Sequence, residues 1–258
     1  MRADSTLFLP AARRLLDRID EQADAIAAVA TACAGAIAAD GLVHLFGTGH
    51  SRIPVEEMFP RYGSYPGFNP IVELSMTYHT QVVGSNGQRQ AMFIERVPGL
   101  AEVILSNYEL RPGDVMIVFS ASGLSAVPIE MALGARRRGL TVVAVTSVAQ
   151  SQAGTPTHEA GRLLDNADIV LDLCTPAGDA LVELDGLAAP VAPGSTIAAV
   201  ALANEIKAQT AALLVERGAM PPVLTSPALV GQEASAELFE AAYAEHARRY
   251  ARSLRGAA

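Results

Sequence analysis

The chain has 258 residues, half of them hydrophobic and only 5% aromatic, which is enough for one large α/β domain with a substantial core. A formal net charge of −8 argues against a nucleic-acid-binding protein, because such binding needs clustered Lys and Arg. The two cysteines, Cys33 and Cys174, lack metal-site spacing and favour a reducing cytoplasm. No uninterrupted apolar run has membrane length, so we expect no membrane partner.

The first part of the chain predicts helices followed by a strand and a glycine-rich turn. An N-terminal segment, about residues 1–40, has apolar residues at helical spacing and predicts one long helix or two in tandem. Residues 42–46 form an apolar strand. Ser51 is predicted to cap a short helix that ends before Pro60, and residues 71–74 predict a second strand.

The remaining elements alternate between buried strands and helices. The pattern predicts helices at 88–110 with a break near Pro98, at 126–138, at 195–217 and at about 232–254, and strands at 115–119, 141–146 and 167–173, with a short edge strand at 181–184. A strand, loop, helix and strand in succession indicate a parallel sheet with right-handed crossovers.

The turn after the first strand, Gly47-Thr48-Gly49-His50-Ser51, directs free backbone N–H groups toward one point, which suits an anion. It lacks the third glycine of a dinucleotide-binding loop and the Gly-Lys-Ser/Thr of a P-loop. The sequence therefore predicts a small anionic ligand and not a nucleoside triphosphate.

A second turn, SASGLS at residues 120–125, supplies three serine hydroxyls beside a glycine and contains no Lys or Arg. That donor set suits a single phosphate. Its surroundings also repeat the first turn, because residues 49–56 and 123–130 share the pattern G-x-S-x-[IV]-P-[VI]-E. The pairing aligns Glu56 with Glu130 as a common structural position and leaves Glu57 without a counterpart.

Together, GTGHS, SASGLS and an APGST segment that opens a long helix resemble the sugar isomerase (SIS) domain family over nearly the whole chain, 1–258. The resemblance implies an α/β three-layer sandwich with a five-stranded parallel sheet flanked by helices, of flavodoxin or Rossmann-like type. It further implies a homodimer or tetramer that binds a phosphosugar and needs no cofactor. The histidines show none of the close spacings that zinc sites use, so we expect no metal. The implied substrate- and phosphate-binding residues are Gly47, Thr48, Gly49, Ser51, Ser120, Ser122, Gly123, Ser125 and Ser195.

The segment GTGHSRIPVEEMFPRYG is similar to SIS proteins whose described member dehydrates N-acetylglucosamine 6-phosphate, and to N-acetylmuramic acid 6-phosphate etherase. In this comparison Glu57 matches a catalytic glutamate and is the predicted base for the C2 proton beside an open-chain aldehyde. If the C3 hydroxyl is then eliminated, the protein is a dehydratase, and this is the main prediction. If the proton is instead returned to C1, the protein is an aldose–ketose isomerase. A non-catalytic phosphosugar sensor is the alternative of another class.

A second acid–base group has four candidates. Glu95 matches a second acid of the etherases, and His50 lies in the first turn with a side chain that titrates near neutral pH. His79 and His246 are the others; SIS isomerases can supply a residue from the last helix, but a solvated helix face is the simpler expectation for His246. Asp179 belongs to a Gly-Asp-Ala turn related to one in family members.

Overall fold

Five parallel strands form the central sheet in the computed structural model of the protein, which describes residues 6–77 and 87–254. The strands are β1 (Val43–Gly47), β2 (Phe68–Ile71), β3 (Val115–Phe119), β4 (Thr141–Thr146) and β5 (Ile169–Asp172). Their order is β2-β1-β3-β4-β5. This is the flavodoxin-like order, in which the chain changes direction across the sheet between β1 and β3. The predicted five-stranded parallel sheet is confirmed.

Helices cover both faces of the sheet. They are α1 (Phe8–Asp20), α2 (Ala23–Ala38), α3 (Ile53–Met58), α4 (Gln88–Ile94), α5 (Leu100–Leu105), α6 (Ala126–Arg137), α7 (Val148–Ala153), α8 (Ser195–Glu216), α9 (Pro227–Val230) and α10 (Gln232–Ala251). Apolar residues of α1, α2, α3, α8 and α10 join the core on one face, whereas α5 and α6 pack on the other. The result is the predicted three-layer sandwich.

The strands are mostly apolar, and each face of the sheet has its own core. In β1, for example, Leu45 packs in the first core and Phe46 in the second, and both are fully buried. Among the described residues, α8 is the one helix with the length and hydropathy of a membrane span. Its buried residues, such as Ala198 and Leu202, instead pack within the first core, so its apolar character reflects burial in this domain.

Two predictions at strand positions are wrong. The second strand covers 68–71 and not 71–74, and it includes Pro70, which has no N–H to donate. An edge strand tolerates a proline, and β2 lies at the edge of the sheet beside β1. The segment near 181–184 is not an edge strand of this sheet, since β6 (Ala180–Val182) pairs only with β7 (Val191–Pro193) in a separate antiparallel hairpin.

Ser51 does not cap the short helix, contrary to the prediction. A 3₁₀ turn, Gly49–Arg52, follows β1 directly, and α3 begins only at Ile53 with Arg52 as its N-cap. Ser51 therefore lies inside the turn, where its N–H donates to the Thr48 carbonyl at 3.0 Å. Because Arg52 and not Ser51 is the N-cap of α3, the Ser51 hydroxyl is not used to cap that helix.

A buried polar chain crosses the amino-terminal end of the sheet. Asn69 lies 3.0 Å from His44 Nδ1, and His44 Nε2 lies 3.4 Å from Asp114 Oδ2, with His44 fully buried. Asp114 also accepts the Leu42 and Arg111 N–H groups. Burial alone would raise the pKa of Asp114, but the hydrogen bonds from His44 and from these N–H groups outweigh burial, and the pKa lies below its usual value.

Candidate functional site

The two glycine-rich turns lie side by side at the carboxyl end of the sheet. Gly47 and Phe119 are the last paired residues of β1 and β3, so the turns that follow them start next to each other. They open onto a cleft of about 310 Å³, within the size range of small-molecule sites. The cleft is lined by Thr48, His50, Ser51, Glu95, Ser120, Ala121, Ser122, Ser125, Gln150, Asp179, Pro193, Ser195 and Thr196.

The first turn depends on a close backbone approach at Gly47. A Cβ atom at this position would lie 2.2 Å from the Ser51 carbonyl oxygen, a distance that only a shift of the backbone could relieve. Gly49 adopts φ of +56°, in the left-handed region that favours glycine. The tight turn brings Thr48, His50 and Ser51 to the cleft wall together, as the sequence predicts.

The second turn is a preformed set of donors. Gly123 adopts φ of +62°, and its N–H donates to Ser120 Oγ at 3.2 Å, so the Ser120 hydroxyl hydrogen remains available to a ligand. Within the part of the chain that the structure describes, the backbone N–H groups of Ser122, Leu124 and Ser125 have no acceptor. They lie at the amino-terminal end of the 12-residue helix α6, which is favourable for an anion.

Glu95 joins the two turns. The Thr48 hydroxyl donates to Glu95 Oε2 at 2.7 Å, and the Ser125 hydroxyl donates to Oε1 at 3.0 Å. The Glu95 carbonyl accepts the Val127 N–H at 2.9 Å, which anchors the end of α4 to α6. A partly buried carboxylate is therefore held in a fixed orientation at the cleft wall, with both of its oxygens positioned by hydroxyl groups.

Asp179 lies on the other side of the cleft, at the beginning of α8. Its Oδ1 accepts the N–H groups of Gly194 (3.2 Å) and Ser195 (2.7 Å), and its Oδ2 accepts the Ser195 hydroxyl at 2.6 Å. Ser195 does line the cleft as predicted, but its N–H and its hydroxyl hydrogen are both engaged by Asp179. The α8 terminus is thus occupied by a carboxylate of the protein itself.

Glu57, the predicted base, is not among the residues that line the cleft. Its side chain is 15% exposed, forms an ion pair with Arg61 and accepts the Asn204 amide at 3.0 Å. Asn204 lies nine residues after Ser195 on α8, about 14 Å further along the helix axis. Lys207, one turn later, donates to the Glu57 carbonyl at 3.1 Å, and burial lowers its pKa against the opposing influence of Glu57.

The histidine candidates have separate positions. His50 is exposed and lines the cleft, whereas His79 lies outside the described residues. His246 does not lie on a solvated helix face, contrary to the expectation, because its ring packs against Phe59 (centroids 4.6 Å apart) and Tyr250 (5.9 Å), and burial lowers its pKa. Among the described residues, no group of three His, Cys, Asp or Glu side chains is arranged to hold a metal ion.

Sequence reasoning missed two polar cleft residues, Gln150 and Thr196. Gln150 comes from α7, a short helix in a stretch that gave no helical pattern. Thr196 follows Ser195 in the APGST segment and could have been found from that neighbour. Asp172, the last residue of β5, accepts the N–H groups of Val148 and Cys174 and thereby fixes the chain after the strand.

A parallel sheet of flavodoxin-like order with a donor-rich cleft at its β1–β3 switch point defines an α/β domain that binds a small anionic molecule. The sequence itself gives the family. Residues 7–147 match the model of the SIS domain, and the chain belongs to the SIS domain family.

Similar proteins extend this match to most of the chain. A UPF0309 protein of Streptomyces coelicolor is 39% identical over 85% of this chain and 86% of its own length. A UPF0309 protein of Brucella canis is also 39% identical, over 83% of this chain and 82% of its own. The structure of phosphoheptose isomerase GmhA from Neisseria gonorrhoeae aligns with a TM-score of 0.48 at 16% identity, covering 77% of this chain and 92% of that one.

Proposed function

We propose that the protein is a SIS enzyme that binds a phosphosugar and removes the C3 hydroxyl of N-acetylglucosamine 6-phosphate as water. The observation that carries the proposal is the coincidence in one cleft of a phosphate-sized donor set, at Ser120, Ser122 and Ser125, and an oriented carboxylate, Glu95. The family and the GTGHSRIPVEEMFPRYG segment support the choice of substrate class.

The phosphate is expected at the second turn. The available N–H groups of Ser122, Leu124 and Ser125, together with the hydroxyl of Ser120, can hold a single phosphate without a metal or a basic side chain. The first turn, with His50 and Ser51, then faces the sugar.

The reaction needs one carboxylate that takes up and returns a proton. The base takes the C2 proton, the C–H electron pair forms the C2–C3 double bond, and the C3–O bond breaks. The same group then returns the proton to the departing hydroxyl, so that one water leaves and the atoms balance. On an aldose phosphate with a hydroxyl in place of the acetamido group at C2, return of the proton to C1, with the O2 proton passing to O1, would give the ketose of the isomerase alternative, and no C–O bond would break.

Of the two glutamates proposed for acid–base chemistry, the cleft geometry favours Glu95. Its carboxylate is at the cleft wall, whereas that of Glu57 is held on α8 about 14 Å along the helix from Ser195. Glu57 remains the second candidate because of its match to the etherase glutamate.

The test is incubation with N-acetylglucosamine 6-phosphate in deuterated water, with product mass and NMR as readouts. We expect an unsaturated product, and a loss of turnover of about 100-fold or more in Glu95→Gln, the usual range for an acid–base group. Glu56→Gln is the matched control, since Glu56 is 54% exposed and pairs with Arg52.

Each other outcome has a definite meaning. If Glu57→Gln lost turnover and Glu95→Gln retained it, Glu57 and not Glu95 would be the base. A deuterium-labelled ketose, formed in a parallel incubation with an aldose 6-phosphate that has a C2 hydroxyl, would identify an isomerase, and binding without turnover would identify a sensor. Undiminished affinity in a Ser120→Ala, Ser122→Ala double variant would refute the phosphate site. We further expect cytoplasmic activity of a homodimer or tetramer, as the family resemblance implies.

A further inference from the structure

The charge distribution in the cleft is uneven. None of the described residues that line it is Lys or Arg, whereas two carboxylates do so, Glu95 and Asp179. They reach the cleft from opposite faces of the sheet, because Glu95 is fixed to α6 and Asp179 to the amino end of α8. A ligand that spans the cleft from the second turn to α8 would therefore approach Asp179 with the end remote from its phosphate.

Helices α6 and α8 both begin at this cleft, but among the described residues they differ in free N–H donors. The N–H groups before α6 lack acceptors in the described part of the chain, whereas Asp179 takes the first N–H groups of α8 at 2.7 and 3.2 Å. The partial positive charge at the start of α8 is thus compensated by a carboxylate. At α6 the free N–H groups can hold an anion beside the Glu95 carboxylate, whose two oxygens accept the Thr48 and Ser125 hydroxyls. At α8 the first N–H groups already serve Asp179, so a ligand anion meets like charge without free donors to offset it.

The fixed position of Asp179 makes this opposition persistent. Its three hydrogen bonds leave the carboxylate little freedom to turn away from a ligand. Oδ1 accepts two N–H groups, but Oδ2 accepts one hydrogen bond among the described residues and keeps acceptor capacity, so a sugar hydroxyl or an amide N–H that faces Asp179 can donate to it.

We infer that Asp179 is a specificity-determining residue that restricts the cleft to phosphosugars whose only anionic group is the phosphate. The inference rests on the proposed phosphosugar function and adds the substrate class. A sugar with neutral hydroxyl and amide groups at the remote end is accepted. A sugar with an added carboxylate or second phosphate there is rejected, because like charges brought together at a binding surface are unfavourable.

The test compares three ligands by isothermal titration calorimetry: N-acetylglucosamine 6-phosphate, N-acetylmuramic acid 6-phosphate, which adds a lactyl carboxylate at O3, and the methyl ester of that lactyl group. The ester has at least the bulk of the acid but no second charge, so the acid-to-ester ratio isolates electrostatics from size. For the wild-type protein we expect the ester to bind about tenfold more tightly than the acid, and the difference to shrink as salt increases.

In Asp179→Asn the amide oxygen can still accept from Gly194 and Ser195, and we expect the ester and the acid to bind within about threefold of each other, since the like charge is gone. Asp172→Asn is the matched control. Asp172 is the last residue of β5, accepts two N–H groups as Asp179 does, and is not among the residues that line the cleft. It should keep the wild-type ratio.

Equal binding of acid and ester to the wild-type protein would overturn the inference even if Asp179→Asn failed to fold. So would an unchanged ratio in a folded Asp179→Asn protein. Absence of binding by N-acetylglucosamine 6-phosphate itself would instead refute the proposed function, so the two failures are distinguishable.

Discussion

The hydroxyl of Thr48 should stabilise the fold only through Glu95. Thr48 is 7% exposed, and its hydroxyl donates to the Glu95 carboxylate at 2.7 Å. A hydrogen bond to a charged group contributes about 1.5–3 kcal/mol, and the partial exposure of Glu95 favours the lower end. We expect Thr48→Val, which keeps the side-chain shape, to lower the free energy of unfolding by about 1.5 kcal/mol.

Urea denaturation of a double-mutant cycle tests this coupling. In a Glu95→Ala background the partner is absent, so Thr48→Val should cost less than about 0.5 kcal/mol, which leaves a coupling of about 1 kcal/mol or more. Ser122→Ala is the control, because that cleft serine makes no hydrogen bond to Glu95 among the described residues, and its cost should be the same in both backgrounds. An equal cost of Thr48→Val with and without Glu95 would refute the reasoning.

Gly47→Ala should misplace the first turn, because its Cβ would lie 2.2 Å from the Ser51 carbonyl oxygen, and we expect ligand affinity to fall at least about tenfold in calorimetry. Gly35→Ala is the control: apart from its chain neighbours and the backbone of its own helix, no atom of the described residues lies within 4 Å of the added Cβ, so the helix α2 should gain about 0.5–1 kcal/mol and binding should not change. Asp114→Asn should reduce stability at neutral pH, since a depressed folded-state pKa gives stabilisation that is fully present above the unfolded-state value near 3.8 and is lost as the pH falls through the folded-state pKa. Urea midpoints of the wild type and the variant should therefore differ by a constant amount from about pH 7 to 5 and converge below about pH 4, and a gap that does not close would contradict this account.

The sequence was informative wherever one local rule decided the outcome. Buried apolar runs gave β3 and β4 with their observed limits, and glycines at 49 and 123 marked two turns that both adopt the left-handed conformation. The pattern repeated at residues 49–56 and 123–130 also indicated that the two turns are alike, and residues of both turns line one cleft.

Local patterns do not predict positions that distant parts of the chain determine, and the predicted bounds of β2 were wrong for this reason. The placement of β2 depended on its being an edge strand, which no local pattern reveals, and Pro70 argued against a strand there. The position of Glu57 depended on Asn204, 147 residues away, and that of Asp179 on the start of α8. Such partners are fixed by tertiary packing, so a side chain's chemistry was predictable from the sequence but its surroundings were not.

Helix α8 connects two carboxylates, Asp179 and Glu57, that lie far apart in the sequence. Its first turn binds Asp179, and its third turn contains Asn204, which binds Glu57. Continuous main-chain hydrogen bonds make the helix between Ser195 and Asn204, about 14 Å long, rigid along its axis. A small axial displacement of its first turn is therefore passed on to Asn204. Any ligand that shifts the cleft end of this helix also shifts the Asn204 that holds Glu57, and the two acidic positions respond as one body.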